Sequence, residues 1–295
     1  VAFGYCGAND SDICESIKIR LEMGIYMESW VRVESDVKVF VNDINPSGEK
    51  TMVFMHGWPA NYKMFEYQYN ILPQMGYRCI GIDMRGFGNS DKPWSGYDYD
   101  RLADDILCVM KAKNLKDVTL GGHSTGGAVA IRYMARHNGY GVSKLALFAA
   151  AAPSLIQRTY FPYGQTRADI EQITARLYQD RPQEISDFGD ILFYKKVTKP
   201  FSDWFFQLGL QAASWATIAI SKDWVAEELF DDLTKIQVPA LIMHGIHDQV
   251  CYYPLAVAQH DGIRNSTLVP FENSGHGLFY DEKDKFNHEL MKFIG

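Results

Sequence analysis

Several things are missing from this sequence, and each absence narrows what the chain can be. No stretch approaches the roughly 18 consecutive apolar residues that a membrane-spanning helix needs, and no charged start followed by an apolar core marks a secretory signal. Neither a membrane nor export is therefore expected. No basic run exceeds a few residues, and the formal net charge is −7 with a pI near 5.6, which argues against a nucleic-acid partner. The five cysteines, Cys6, Cys14, Cys79, Cys108 and Cys251, are odd in number, scattered, and lack any C-x-x-C. They suit reduced thiols in the cytoplasm better than a disulfide framework. Internal repeats, low-complexity tracts and domain linkers are absent as well.

What is present is enough apolar chain for a large core. At 295 residues and 47% hydrophobic, the sequence suits one α/β domain with an insertion. Its centre is Asp117–Arg136, D-V-T-L-G-G-H-S-T-G-G-A-V-A-I-R-Y-M-A-R. Val118 and Leu120 begin a short buried strand, and from Ala128 the apolar spacing becomes helical, with Arg132 and Arg136 opposite. Between them stands Gly122-His123-Ser124-Thr125-Gly126, the pattern G-x-S-x-G. A sharp strand-to-helix turn needs small residues two before and two after its centre. It lifts the Ser124 hydroxyl clear at a helix start, where free N–H groups favour negative charge.

The remaining chain alternates strand and helix around that turn. Residues 1–28 show little periodicity and read as an N-terminal extension, since Met23 or Met27 would be a more ordinary start. Trp30–Ser35 and Val37–Val41 read as an antiparallel pair turning at Ser35-Asp36. Strands follow at Thr51–Met55, Arg78–Asp83, Lys144–Ala149, Val238–Met243 and Ser266–Phe271, with helices at Tyr62–Leu72, Tyr99–Asn114 and Asp281–Phe293. The expected product is a mostly parallel, twisted sheet of about eight strands with helices on both faces. Residues 154–232 break the alternation, being helical in pattern and dense in aromatics. An insertion there, above the carboxyl ends of the sheet, reads as a helical cap walling an apolar pocket. The core is then 29–153 with 233–295.

Four loops carry chemistry. His56-Gly57-Trp58-Pro59 follows a buried strand, and a tetrahedral intermediate needs two backbone N–H donors; here they would be Trp58 and Thr125. Asp83 and Arg85 in the Gly-rich loop after the next strand are expected to fix that loop, pairing with turn backbone and with each other. A serine hydroxyl needs a base within reach and an acid that fixes the base's tautomer. Asp248 follows one late strand and His276, between Gly275 and Gly277, follows the next. Asp261 is the competing acid but sits beyond a helix. Of the other histidines, His56 suits a structural hydrogen bond, His123 points toward the sheet, and His137, His260 and His288 fall on helix faces or ends. His244, His247 and Asp248 could suggest a metal, but they follow a strand with no further ligand cluster, so none is expected.

These motifs resemble the α/β-hydrolase superfamily, and within it the cofactor-free, non-haem haloperoxidase and esterase branch. The resemblance rests on H-G-W-P at 56–59, M-R-G-F-G-N-S-D-K-P-W-S-G-Y-D-Y-D at 84–100, S-T-G-G-A-V-A-I-R-Y at 124–133, G-x-x-D at 245–248 and G-H-G at 275–277, and covers about residues 30–294. It implies the α/β-hydrolase fold, a triad of Ser124, Asp248 and His276, oxyanion donors at Trp58 and Thr125, and no prosthetic group. It further implies hydrolysis of a small ester or lactone, with perhydrolysis when peroxide and a short acid are supplied. His123 departs from the branch, which usually has an apolar residue before the nucleophile. Haloalkane dehalogenases and epoxide hydrolases carry aspartate at the elbow, which Ser124 argues against. A hydroxynitrile lyase, a carbon–carbon bond hydrolase or a non-catalytic small-molecule sensor would keep the same triad, and the composition leaves room for a homo-oligomer.

Overall fold

The computed structural model describes residues 26–295. The expectation of an N-terminal extension over 1–28 falls almost entirely outside the described residues, but Tyr26, Met27 and Glu28 belong to the first strand. The strands are β1 (Tyr26–Arg32), β2 (Lys38–Ile44), β3 (Lys50–Met55), β4 (Tyr77–Ile82), β5 (Val118–His123), β6 (Val142–Phe148), β7 (Ala240–Gly245) and β8 (Ser266–Phe271). They form one sheet in the order β1-β2-β4-β3-β5-β6-β7-β8. β1 and β2 run antiparallel to their neighbours, and every pairing from β4 to β8 is parallel.

The parallel strands read as nearly continuous apolar runs because helices cover both faces of the sheet. Val53, Phe54, Leu120, Leu145, Leu147 and Ile242 are fully buried at its centre. The chain steps from β3 to β4 on one side, then returns to place β5 on the other side of β3. That reversal opens a crevice at the carboxyl ends of β3 and β5, where such sheets bind ligands. Met55 lies in register with Gly122, so the loops after these two strands start side by side.

Helix α1 (Tyr99–Ala112) begins at Asp98, whose carboxylate accepts the Arg101 N–H at 2.9 Å. Helix α2 (Thr125–Arg136) begins at the serine turn, and α1 and α2 are tied by Arg132 and Arg136 to Asp100 and Asp104. The segment between β6 and β7 folds as α3 (Arg167–Leu192), α4 (Lys199–Leu210), α5 (Ser214–Ala226) and the single turn Phe230–Thr234. Thr166 and Asp169 form a reciprocal capping box at the start of α3, and the helix kinks at Asp180 ahead of Pro182. Two indoles pin this segment to the crevice. Trp58 Nε1–H donates to Thr217 O at 3.2 Å, and Trp224 Nε1–H donates to Thr125 Oγ1 at 3.0 Å. The sheet ends with α6 (Tyr253–Gly262) between β7 and β8, then the turn Leu278–Asp281 and α7 (Lys283–Ile294).

Two expectations are corrected. The helix expected over Tyr62–Leu72 is a 3₁₀ turn at Tyr62–Phe65 and one α-turn at Glu66–Tyr69. Its start is held by Asn61 accepting from Lys63 N and Asp83 accepting from Tyr62 N. Asp83 and Arg85 do fix their loop, but not by pairing with each other. Asp83 accepts the N–H groups of Tyr62 and Asn89, both at 2.8 Å, and burial raises its carboxyl to about 6. Arg85 forks onto Asp105 through Nε and Nη2 at 2.6 and 2.7 Å and reaches Glu34 at 2.6 Å. With Arg85 1% exposed, this pair is too deep to be broken cheaply. Asp105→Ala should lower stability by about 3 kcal/mol in urea melts, and a loss below about 1 kcal/mol would show that Arg85 does not depend on it.

Candidate active site

Ser124 has φ 53° and ψ −123°, a conformation that few side-chain-bearing residues adopt. Backbone contacts on every side hold it there. Its N–H donates to Phe148 O at 3.0 Å, while its carbonyl accepts from Gly127, Ala128 and Ala151 at 2.9 to 3.1 Å. The turn is tight because α2 starts directly against the end of β3. A Cβ on Gly126 would stand 2.4 Å from His56 O, so the glycine that follows the serine by two is obligatory.

His276 comes from the loop after β8, and its Nδ1 lies 2.7 Å from Asp248 Oδ2. A carboxylate only accepts, so Nδ1 carries the proton and Nε2 keeps its lone pair. Nε2 is buried and meets no partner among the described residues. Asp248 is itself fully engaged. Its Oδ1 accepts the N–H groups of Val250 and Cys251, each at 2.8 Å, and its Oδ2 lies 3.2 Å from His244 Nε2 as well. Burial opposes the charge, but the His276 and His244 imidazoles beside it hold the carboxyl well below the usual carboxylate range. The competing acid, Asp261, is exposed near the end of α6. The three residues that suggested a metal do not converge, since His247 is exposed and stacks on Tyr194 with ring centroids 4.0 Å apart.

The remaining buried histidines are positioning groups that sequence reading identified only in part. His56 Nε2 accepts the Met84 N–H at 2.9 Å, which leaves Nδ1–H to donate to Gly57 O at 3.0 Å. Gly57 O also accepts the Ala60 N–H at 3.0 Å. The carbonyl and N–H of a trans peptide point opposite ways, so the Trp58 N–H faces away from these partners. Neither it nor the Thr125 N–H meets an acceptor among the described residues. His123, expected to point toward the sheet, instead donates through Nε2 to His276 O at 2.9 Å, and its ring packs 4.6 Å from that of His276. His244 Nε2–H is shared between Cys251 O at 2.6 Å and Asp248. Burial, with His276 alongside, pushes His123 well below its ordinary value, and burial lowers His56 to about 4. Both stay neutral at pH 7. The signal in the sequence was their placement, one residue before the serine and one before the loop glycine.

A cavity of about 230 Å³ opens beside Ser124. Trp58, Leu155, Ile170, Ile173, Phe188 and Trp224 form its apolar walls. The cavity is mainly apolar, and Gln165, Asp169, Gln172, Arg176 and Gln249 add polar groups to its lining. Most of these come from the first half of α3, where a helical stripe presents polar and apolar residues to the same opening. The Cys251 thiol, raised well above its ordinary value by burial, lies against the Ser124 hydroxyl.

The profile of the family described as alpha/beta hydrolase fold matches residues 50–283, and the chain belongs to that family. The AB hydrolase superfamily protein YisY of Bacillus subtilis (strain 168) is 45% identical over 267 residues, spanning 90% of this chain and 99% of that protein. The non-heme haloperoxidase of Rhodococcus erythropolis is 32% identical over 276 residues, spanning 90% and 98%. Among solved structures, the esterase EaEST from Exiguobacterium antarcticum superposes with a TM-score of 0.88 at 43% identity, covering 91% of this chain and 99% of its own. The resemblance to the haloperoxidase and esterase branch is thus borne out. Among the described residues no helix is long and apolar enough to cross a membrane.

Neutral burial of His56 has a measurable consequence. Its folded value of about 4 lies below the unfolded value near 6.5, so its contribution is complete above about pH 6.5 and is lost as pH falls toward 4. Asp83, raised by burial, works in the opposite sense, so the test is a difference between two proteins. Between pH 7 and pH 5, His56→Gln should gain about 2 kcal/mol relative to the parent in urea melts. A difference that stays constant would mean that His56 is not held neutral.

Proposed function

We propose that the chain is a carboxylic ester hydrolase working through an acyl-enzyme. In this reading Ser124 is the nucleophile, His276 the base, Asp248 the acid that orients it, and the Trp58 and Thr125 N–H groups the oxyanion donors. The observation that carries it is the state of His276. With Nδ1–H held on a strongly acidic carboxylate, its Nε2 keeps a lone pair that meets no partner among the described residues, while Ser124 opens into the cavity.

Nε2 takes the Ser124 proton as Oγ attacks the ester carbonyl. Negative charge moves to the carbonyl oxygen, where the two N–H groups are fixed in advance and need no reorganisation. Asp248 stabilises the imidazolium without itself taking the proton. The imidazolium then protonates the leaving alcohol, and water enters by the reverse sequence to release the acid. Residues 154–232 act as the cap over a core of 29–153 and 233–295, and they limit the substrate to a small ester or lactone. Perhydrolysis, with hydrogen peroxide in place of that water, follows from the same acyl-enzyme and fits the haloperoxidase relative. The unpaired thiols of Cys79, Cys108 and Cys251 favour the cytoplasm.

Hydrolysis of p-nitrophenyl acetate, butyrate and octanoate tests the reading. Ser124→Ala should lower kcat on the order of 10⁶-fold, and a loss below about tenfold would reject the assignment. Asp248→Asn should retain the fold while lowering kcat about 10⁴-fold, since an amide would select the wrong imidazole tautomer. The cavity should favour acetate and butyrate over octanoate in kcat/KM, and an octanoate optimum would contradict the small-substrate reading.

A further inference from the structure

Asp281 lies five residues beyond His276, in the turn Leu278–Asp281, and is 6% exposed. Its carboxylate accepts three backbone N–H groups from two separate parts of the fold. Oδ2 takes Gly275 N–H and Tyr194 N–H, each at 2.9 Å, and Oδ1 takes Lys195 N–H at 3.1 Å. Gly275 immediately precedes His276, whereas Tyr194 and Lys195 follow α3 in the helical insertion. The junction is doubled by Gly277 N–H on Leu192 O at 2.8 Å and by Lys195 Nζ on the Asp281 carbonyl at 2.6 Å. The next residue, Glu282, braces the root of the same loop, accepting Asn273 N–H at 2.8 Å and the Ser274 hydroxyl at 2.7 Å.

We infer that Asp281 is a positioning residue for the base: it ties the His276 loop to the end of α3, so that the helical insertion sets where Nε2 stands relative to Ser124. This rests on the serine esterase reading above. A carboxylate suits the task because both oxygens only accept, matching three converging donors. An asparagine would offer one acceptor and turn its amide N–H groups toward backbone N–H groups. A displacement near 1 Å at a reacting group costs about 10²-fold in rate, so a loosened loop should be read in kcat.

The test compares Asp281→Asn, Asp281→Glu and Glu282→Gln with the parent in p-nitrophenyl acetate turnover and in the downfield proton resonance of His276 Nδ1–H. Asp281→Asn should lose about 10- to 100-fold in kcat with KM within about threefold, and its downfield resonance should shift or broaden away. Asp281→Glu, still a pure acceptor, should fall between it and the parent; Glu282 takes both of its donors on Oε2 alone, which an amide oxygen can replace, so Glu282→Gln should stay within about threefold of the parent. A folded Asp281→Asn protein with kcat within about twofold of the parent and an unmoved resonance would overturn the inference, even if its melting temperature dropped. Should that variant fail to fold, Asp281→Glu decides, and parental kcat there with an unmoved resonance would equally overturn it. Fluorophosphonate labelling of the unmodified protein separates the two possible failures. Absence of a label on Ser124 rejects the esterase reading, whereas a label together with an unaffected Asp281→Asn rejects only the role of Asp281.

Discussion

The strained backbone of Ser124 is the constraint on which the rest of the site depends. A residue with a side chain at positive φ in this region costs about 1–3 kcal/mol, and it persists only where its surroundings over-determine it. Here four backbone hydrogen bonds close on one residue, from the last residue of β6, the loop after it and the first turn of α2. Because Ser124 cannot relax, the helix must begin at Thr125, and the first free N–H of α2 stands next to the hydroxyl. The same strain brings α2 hard against the carboxyl end of β3, which places the Gly57–Trp58 peptide beside it. The candidate nucleophile and both candidate oxyanion donors therefore derive from one turn and its nearest neighbour.

Around that turn the protein uses imidazole as scaffolding. His56 fixes a carbonyl and thereby the direction of the Trp58 N–H. His123 fixes the carbonyl of His276, and His244 shares the Asp248 carboxylate. A neutral imidazole has one donor and one acceptor on opposite sides of a rigid ring, so it can orient a partner without adding charge to a buried site. Among the described residues His276 differs in giving its Nδ1–H to a carboxylate alone, which leaves Nε2 as its basic nitrogen. The Asp248 carboxylate carries the compensating burden, accepting two backbone N–H groups and two rings. A charge so fully hydrogen-bonded can remain ionised at complete burial.

Much of this was legible in the sequence because local chemistry dictates it. G-x-S-x-G between a strand pattern and a helix pattern specifies the turn, and the spacing of Asp248 and His276 after successive late strands identifies the pair now seen 2.7 Å apart. What could not be read depends on distant contacts. The partner of Arg85 is Asp105, twenty residues away on α1, and an adjacent acid in the same loop was the natural guess. His123 finds its acceptor 153 residues along the chain. The helix over Tyr62–Leu72 is capped at its start by Asn61 and Asp83 but breaks into a 3₁₀ turn and one α-turn, which no window of apolar spacing reveals. The mixed polarity of the cavity follows from how the first half of α3 is rotated over the crevice, a matter of packing between elements.

In the proposed mechanism Ser124, the two backbone donors and His276 act on one reacting carbonyl. A crystal structure of the protein after reaction with diethyl p-nitrophenyl phosphate tests it most directly, because the adduct resembles the tetrahedral intermediate. A phosphoryl group should stand on Ser124 Oγ, with one oxygen about 2.7–3.1 Å from both the Trp58 and Thr125 nitrogens and His276 Nε2 directed at a bridging oxygen. An adduct on another residue, or a phosphoryl oxygen turned away from those two N–H groups, would contradict it.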